Sequence, residues 1–282
     1  DASVALGAIS KLKEPQVIGE WVLWLEQRPH ESGRTTALIR PWGRSDVSPQ
    51  ELTPSPTNLR SQVHGYGGGV VSAAQENNRL FLAWIDDSEG CLWTQVWETR
   101  PIKNEGIDLY LRPIDSPICL ASMNGYSLGD GLIDLTRKVW LGVMEKQGKD
   151  YLVSFSLSKR NQIPKIIYSP QDFIGYCALS PNANKLIWVE WQYPLMPWEV
   201  SQLWCGCLNN IGDLQEKKIL AGSKFKDLNR TSVFQPIWFS DEVIIVAEDS
   251  NGWWNLMTLN IDCSLRLTSP WRYLCPIQGD FA

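Results

Sequence analysis

Three observations on the sequence predict an all-β fold, a β-propeller of five four-stranded blades. An apolar strand, a polar turn and a second strand recur five times. Their apolar cores begin near Trp21, Leu80, Val139, Leu186 and Val243, at spacings of 59, 59, 47 and 57 residues. Units of this size cannot bury their own faces and must stack on neighbours. β-Branched and aromatic residues dominate the segments, and no stretch sustains a helical period. The chain also carries 15 Trp against 4 Met, and large flat side chains suit the space between stacked sheets. The repeats run from end to end without a break in composition, so residues 1–282 are read as a single propeller domain. Six or seven blades enter only if the chain is a fragment of a larger ring.

In the first unit, residues 20–26 and 35–39 read as strands around a turn from Pro29 to Gly33. The second pairs residues 79–85 with 92–97 across a polar turn at 86–90. The third pairs 138–144 with 151–155, the fourth 185–189 with 202–204, and the fifth 243–247 with 254–256. In the fifth, Asn251-Gly252 supplies the positive φ of a tight hairpin. Candidate inner strands precede four of these pairs at residues 70–73, 133–135, 176–179 and 236–239, and candidate outer strands lie at 109–111 and 218–220. Four strands per unit around a channel follow. Residues 1–14 complete a blade or cap the ring, and residues 270–275 either finish the fifth unit or begin a sixth. Two long polar connectors, 40–69 and 191–201, are where binding surfaces are expected.

At 282 residues the chain can bury roughly 75% of its unfolded surface. A net charge of -5 offers no basic stripe for phosphates, which argues against a nucleic-acid partner. No apolar run is long enough to span a membrane. The start, Asp1 to Leu6, lacks the basic and apolar regions of a signal peptide. Seven scattered Cys read as reduced thiols, which places the protein in a cytoplasm-like compartment.

The connectors resemble a known family. Residues 24–29 (Trp-Leu-Glu-Gln-Arg-Pro) with 33–35 (Gly-Arg-Thr), and 58–69, which end in His64-Gly65-Tyr66-Gly67-Gly68-Gly69, are similar to the propeller half of prolyl oligopeptidase-family serine peptidases. The nearest branch is the dipeptidyl-aminopeptidase/acylaminoacyl-peptidase-like one. Residues 179–181 with 185–186, residues 193–198 (Tyr-Pro-Leu-Met-Pro-Trp) and residues 250–256 fit it in the same order. The Tyr-Gly-Gly-Gly and Met-Pro-Trp segments are the more specific ones. The resemblance implies a propeller, usually seven-bladed, that sits over an α/β-hydrolase domain and filters access to it. The catalytic nucleophile is then expected in that separate domain and not here. Two departures stand out: Gly65 where the family tends to have Glu, and Asn182 where the turn usually has Asp.

Each chemical candidate has a structural alternative. His30 and His64 are the only histidines. His64 in its Gly-rich loop reads as a loop-holding residue or a channel-mouth group before a triad member. Residues 65–69 look like a phosphate loop but precede strand-like Val70-Val71, so close backbone approach is the better reading. Cys205 and Cys207 share a strand face and read as buried small groups, not zinc ligands. The turn at 86–90 lacks the ligand alternation of a calcium loop. Glu20, Asp130 and Asp134 lie near inner strands, where a glycosidase would need two facing carboxylates. The aromatic connector 191–198 is either a stacking platform or packing under a blade.

The expected function is therefore a non-catalytic propeller that gates peptide access to an α/β-hydrolase domain. Arg28, Arg34, Arg60, His64, Tyr66, Trp191 and Trp198 are assigned to its rim as binding or docking groups. No catalytic residue, metal ligand or cofactor is assigned. The expected partners are that hydrolase domain and short peptides, with self-association through exposed blade edges. The rival classes are a stand-alone lectin-like module and a protein–protein scaffold.

Overall fold

Alternation of apolar and polar side chains with period two builds almost every ordered segment of this protein into strands. The computed structural model describes residues 9–101, 109–224 and 229–274. Among them the only helical segments are two single turns of 3-10 helix, at Pro29–Glu31 and Val63–Gly65. The architecture is all-β, a β-propeller of five antiparallel sheets.

Sheet one orders β1 (Lys11–Ile18), β2 (Trp21–Arg28), β3 (Arg34–Pro41) and β4 (Gln50–Glu51). Sheet two orders β5 (Val71–Glu76), β6 (Arg79–Asp86), β7 (Cys91–Pro101) and β8 (Leu109–Pro113), and β9 (Ile118–Ser122) adds a fifth strand on β7. Sheet three contains β10 (Ser127–Asp134), β11 (Val139–Lys146), β12 (Lys149–Ser156) and β13 (Lys165–Tyr168). Sheet four contains β14 (Phe173–Leu179), β15 (Lys185–Trp191), β16 (Gln202–Leu208) and β17 (Leu214–Gly222). Sheet five contains β18 (Val233–Trp238), β19 (Val243–Glu248), β20 (Asn255–Asn260) and β21 (Arg272–Tyr273). The spacer at residues 114–126 thus holds a strand that the repeat pattern alone does not show.

The ambiguous ends resolve as ordinary blade parts. β1 is the inner strand of sheet one, so residues 11–18 complete that blade; Asp1 to Ala8 lie outside the described residues. β21 is the outer strand of sheet five and not the start of a sixth unit, and Cys275 lies outside the described residues. The inner strand expected at 133–135 begins earlier, at Ser127.

Two compact units are present, Asp1–Trp140 with Phe155–Pro164 and Leu141–Ser154 with Lys165–Ala282. In the first, Trp140 is 1% exposed, packs on Phe155 at 5.9 Å and donates from Nε1 to Ser72 Oγ at 3.1 Å. In the second, Ile187, Val189, Leu203 and Cys205 of sheet four close against Ile244, Val246, Met257 and Leu259 of sheet five. Burial raises the Cys205 thiol to about 12, and Cys207 beside it adds to the rise. That pKa leaves Cys205 a neutral, apolar filler. No described helix is long and apolar enough to cross a membrane.

Candidate functional site

The sequence-assigned rim groups of the first unit fall into two sets. Arg28 ends β2 and Arg34 opens β3, facing each other across the Pro29–Glu31 turn. Arg34 is buried, and its guanidinium is used up inside the protein. Nε donates to Glu31 at 2.5 Å, Nη2 to Glu51 at 2.7 Å, and Nη1 to the carbonyls of Thr53 and Thr57 at 3.1 Å each. Arg28 donates to Glu26 at 2.9 Å, Glu31 at 3.1 Å and Glu51 at 3.2 Å. Hydrogen bonding from Arg34 holds Glu31 below the usual carboxylate range. For Glu51 burial pushes upward, but the bonds from Arg34 and Thr36 outweigh it and the net shift is down. This clasp orders the start of the connector that carries the second set.

Arg60 and Tyr66 are exposed and His64 is half-buried, its ring 5.7 Å from that of Tyr66. The loop that presents them is pinned to β10. Ser61 Oγ donates to the Leu128 carbonyl at 2.6 Å, Gly69 N–H donates to Asp130 Oδ1 at 2.6 Å, and Asp130 N–H returns to the Gly69 carbonyl at 2.9 Å. A Cβ on Gly68 would stand 3.0 Å from Asp130 Oδ1, and Gly67 holds φ +92°. The glycines are there for close approach and a left-handed turn, not for an anion.

The one Gly-x-Ser-x-Gly string of the chain, Gly125-Tyr126-Ser127-Leu128-Gly129, meets the same loop. A nucleophile elbow needs a strand before the serine and a helix after it. Here Ser127 is the first residue of a strand, β10, and Gly129 lets Val63 and Ser61 approach to 3.1 and 3.3 Å of where its Cβ would stand. The string is a strand entry.

Glu14, Asp130, Tyr176 and Gln235 hold φ near +50° (50°, 48°, 54° and 48°) in four of the inner strands. For residues this size that is an outlier of the kind found where side chains are re-aimed. In the first unit these bulge residues are acids. Protein packed around Glu14 raises its pKa and the Asp130 charge adds to the rise, although solvent still reaches the side chain and tempers both. The other carboxylates are spent elsewhere. Asp134 is fully buried on Arg137 at 2.6 Å, and Glu20 accepts from Gln75 at 3.3 Å. Asp86, in the calcium-like turn, accepts from the Ser88 amide at 3.0 Å and hydroxyl at 2.5 Å.

In the second unit the bulge residues sit beside aromatics. Tyr176 meets Phe234 edge-on at 5.2 Å, and Phe234 meets Trp254 at 5.2 Å. Sequence reasoning missed this row, whose signal was an aromatic in each of two successive inner strands. The connector 191–201 splits its aromatics. Trp191 is buried, stacked on Phe173 at 5.6 Å, whereas Trp198 and Tyr193 are 56% and 78% exposed. The loop is tied down by Ser201, which exchanges hydrogen bonds with Val233 at 3.0 and 2.8 Å. Beneath it a small hollow of about 20 Å³ is lined by Glu190, Trp191, Leu195, Ser201 and Lys224. Burial raises the Glu190 pKa, against the lowering bonds from Trp188 Nε1 (2.6 Å) and Tyr168.

Among solved structures, the chain matches a puromycin-hydrolyzing peptidase of Mycobacterium tuberculosis at 22% identity and a TM-score of 0.74. The match covers 97% of this chain and 39% of the peptidase. A puromycin hydrolase matches at the same identity and TM-score, over 99% of this chain and 41% of its own. The fold is the same over the matched part. Prolyl oligopeptidase B from Galerina marginata is more distant, at 9% identity and a TM-score of 0.53, over 95% of this chain and 38% of its own. This chain thus spans about 40% of the length of these two peptidases. No family model and no curated protein matches the sequence.

Proposed function

We propose that the chain is a non-catalytic propeller that filters the access of short peptides to an α/β-hydrolase domain. The parent activity would be that of a prolyl oligopeptidase-type serine peptidase, of the dipeptidyl-aminopeptidase/acylaminoacyl-peptidase-like branch. One observation carries this reading: peptidases share the fold over 97–99% of this chain while more than half of their own length lies beyond the match. The side-chain geometry supports a binding and not a bond-breaking part. The Gly-x-Ser-x-Gly string opens a strand, and the exposed rim groups Arg60, Tyr66 and Trp198 are of the kind that grip or guide a chain. In this role Arg28 and Arg34 act indirectly, by holding the connector.

Binding of fluorescent peptides of three to eight residues, measured by anisotropy beside a peptidase assay of the same material, tests the proposal. Peptide binding without turnover is the expected result. Turnover by the purified chain, or equal binding of a folded protein of similar charge, would overturn it.

A further inference from the structure

The extra strand of sheet two brings together two cysteines that look scattered in the sequence. β9 pairs antiparallel with the start of β7, Cys91 opposite Ser122, Leu92 opposite Ala121 and Trp93 opposite Cys119. The register skips Leu120, a bulge that sets which way Cys119 points. In an unbroken ladder Cys119 would stand opposite Thr94 and share its buried side, because side chains alternate between the two faces. The bulge moves it to the half-exposed side of Cys91 and Trp93 instead. There the two thiols converge. Cys91 Sγ lies 3.9 Å and Cys119 Sγ 4.0 Å from the same oxygen, Ser122 Oγ, and the thiols hydrogen-bond to each other. Tyr126 braces the bend that follows, donating to the Ser122 carbonyl at 3.1 Å.

We propose that Cys91 and Cys119 form a modification site, a dithiol that closes to a disulfide by exchange with a small-molecule disulfide such as oxidised glutathione. Thiols already in contact need only a small closing motion to bond, and a bulge, where the extra residue is unpaired, is where a strand can give. One thiolate attacks a sulfur of the small disulfide, forming a mixed disulfide and releasing one small thiol. The neighbouring thiol loses its proton to solvent and attacks the protein sulfur of that intermediate. The Sγ–Sγ bond forms and the second small thiol leaves. Two electrons thus pass from the cysteines to the small disulfide. Burial lifts the Cys91 thiol to about 11, and the hydrogen bond with Cys119 adds to the rise. Such a thiol is a poor leaving group, so the closed bond is slow to reopen. Closure staples β9 to the end of β7 that β8 does not reach, since β8 pairs only with Trp97–Pro101. The site is independent of the peptidase reading.

The test is to incubate the purified chain with oxidised glutathione at about pH 8.5, where more thiolate is present. Iodoacetamide under denaturing conditions then blocks the remaining thiols, and mass spectrometry maps the peptides. The expected product is monomeric, joins the Cys91 and Cys119 peptides, carries no glutathione on either residue and reverts with dithiothreitol. Cys205, buried and raised to about 12, should stay reduced. Replacing one partner should halt the exchange midway, so at least one of Cys91→Ser and Cys119→Ser should retain glutathione on the remaining thiol. Wild-type chain in which both cysteines are alkylated, each carries its own glutathione, or either is joined to a different cysteine would overturn the proposal.

Discussion

Replacing Arg34 by Met removes the guanidinium but keeps most of the buried stem. The loss can be worked from its contacts. The bond to Glu51 is charge-assisted at 2.7 Å, with the arginine side chain 8% and the glutamate 28% exposed. Half-screened, it is worth about 1 to 1.5 kcal/mol. The two carbonyl bonds add about 1 kcal/mol together, because the Thr53 carbonyl keeps the Thr36 hydroxyl at 2.8 Å. The Glu31 contact is screened by solvent and serves mainly to orient the fork. The total, about 2.5 kcal/mol, lowers the melting temperature by about 5 to 10 °C in a chain of this size. Arg34→Lys should recover less than half, since an ammonium cannot serve a fork. The carboxylates give the pH dependence its sign. Glu31 and Glu51 have folded pKa values below 4.5, so their contribution is present above that pH and fades as the pH falls through the folded values. The gap between wild type and Arg34→Met measured by scanning calorimetry should thus narrow between pH 6 and pH 3. A variant that melts within 1 °C of wild type at pH 7 would mean that the clasp does not hold the connector and would free Arg34 for a ligand.

Other consequences can be checked on the same material. Gly131→Ala would drive a methyl into the indole of buried Trp140 and should cost about 1 to 3 kcal/mol in urea unfolding, and a neutral result would show that the indole has room to shift. Glu190→Gln keeps an acceptor for Trp188 while removing a charge whose pKa burial raises. An acid raised in the folded state favours folding at low pH and loses that advantage as pH climbs from 4.5 toward the folded value. The variant should therefore equal wild type at pH 4 and match or exceed it at pH 8. Destabilisation at pH 8 would show that the charge is needed. Tyr66→Ala, at a side chain 68% exposed, should leave the melting temperature within about 1 °C and weaken peptide binding several-fold. Unchanged anisotropy would remove Tyr66 from the rim.

The strands were legible where period-two alternation and β-branched residues coincide, as in residues 79–85 or 243–247. They were illegible where a strand carries its own breakers. The segment of β1 reads either as completing a blade or as capping the ring because Pro15 sits in it and a bulge with Glu14 at φ +50° interrupts its pairing with β2. The start of β10 was missed because Gly129 and Gly131, which are there to admit neighbours, weaken the strand pattern for a reason that lies in other segments. The surroundings of the candidate site residues were illegible for the same reason. Arg34 looks like a rim cation until Glu51, 17 residues later, is brought to it. Trp191 and Trp198 lie in one short aromatic run, yet the end of β15 buries the first and the loop exposes the second.

One regularity was in the sequence all along. Each second strand carries an acid within its last three residues: Glu26, Asp86, Glu145, Glu190 and Glu248. A carboxylate at the mouth of a hairpin can accept from the turn it precedes, as Asp86 does from Ser88 and Glu248 does from Ser250, at 2.8 Å from both its amide and its hydroxyl. Two of the five acids share that duty. Where the partners differ, the duty has been redirected: Glu26 holds Arg28, while Glu190 turns to Trp188 and Tyr168. The departure at Glu190 falls at the start of the connector 191–201, so the acid that turns away from its hairpin is the one that precedes the loop presenting Trp198.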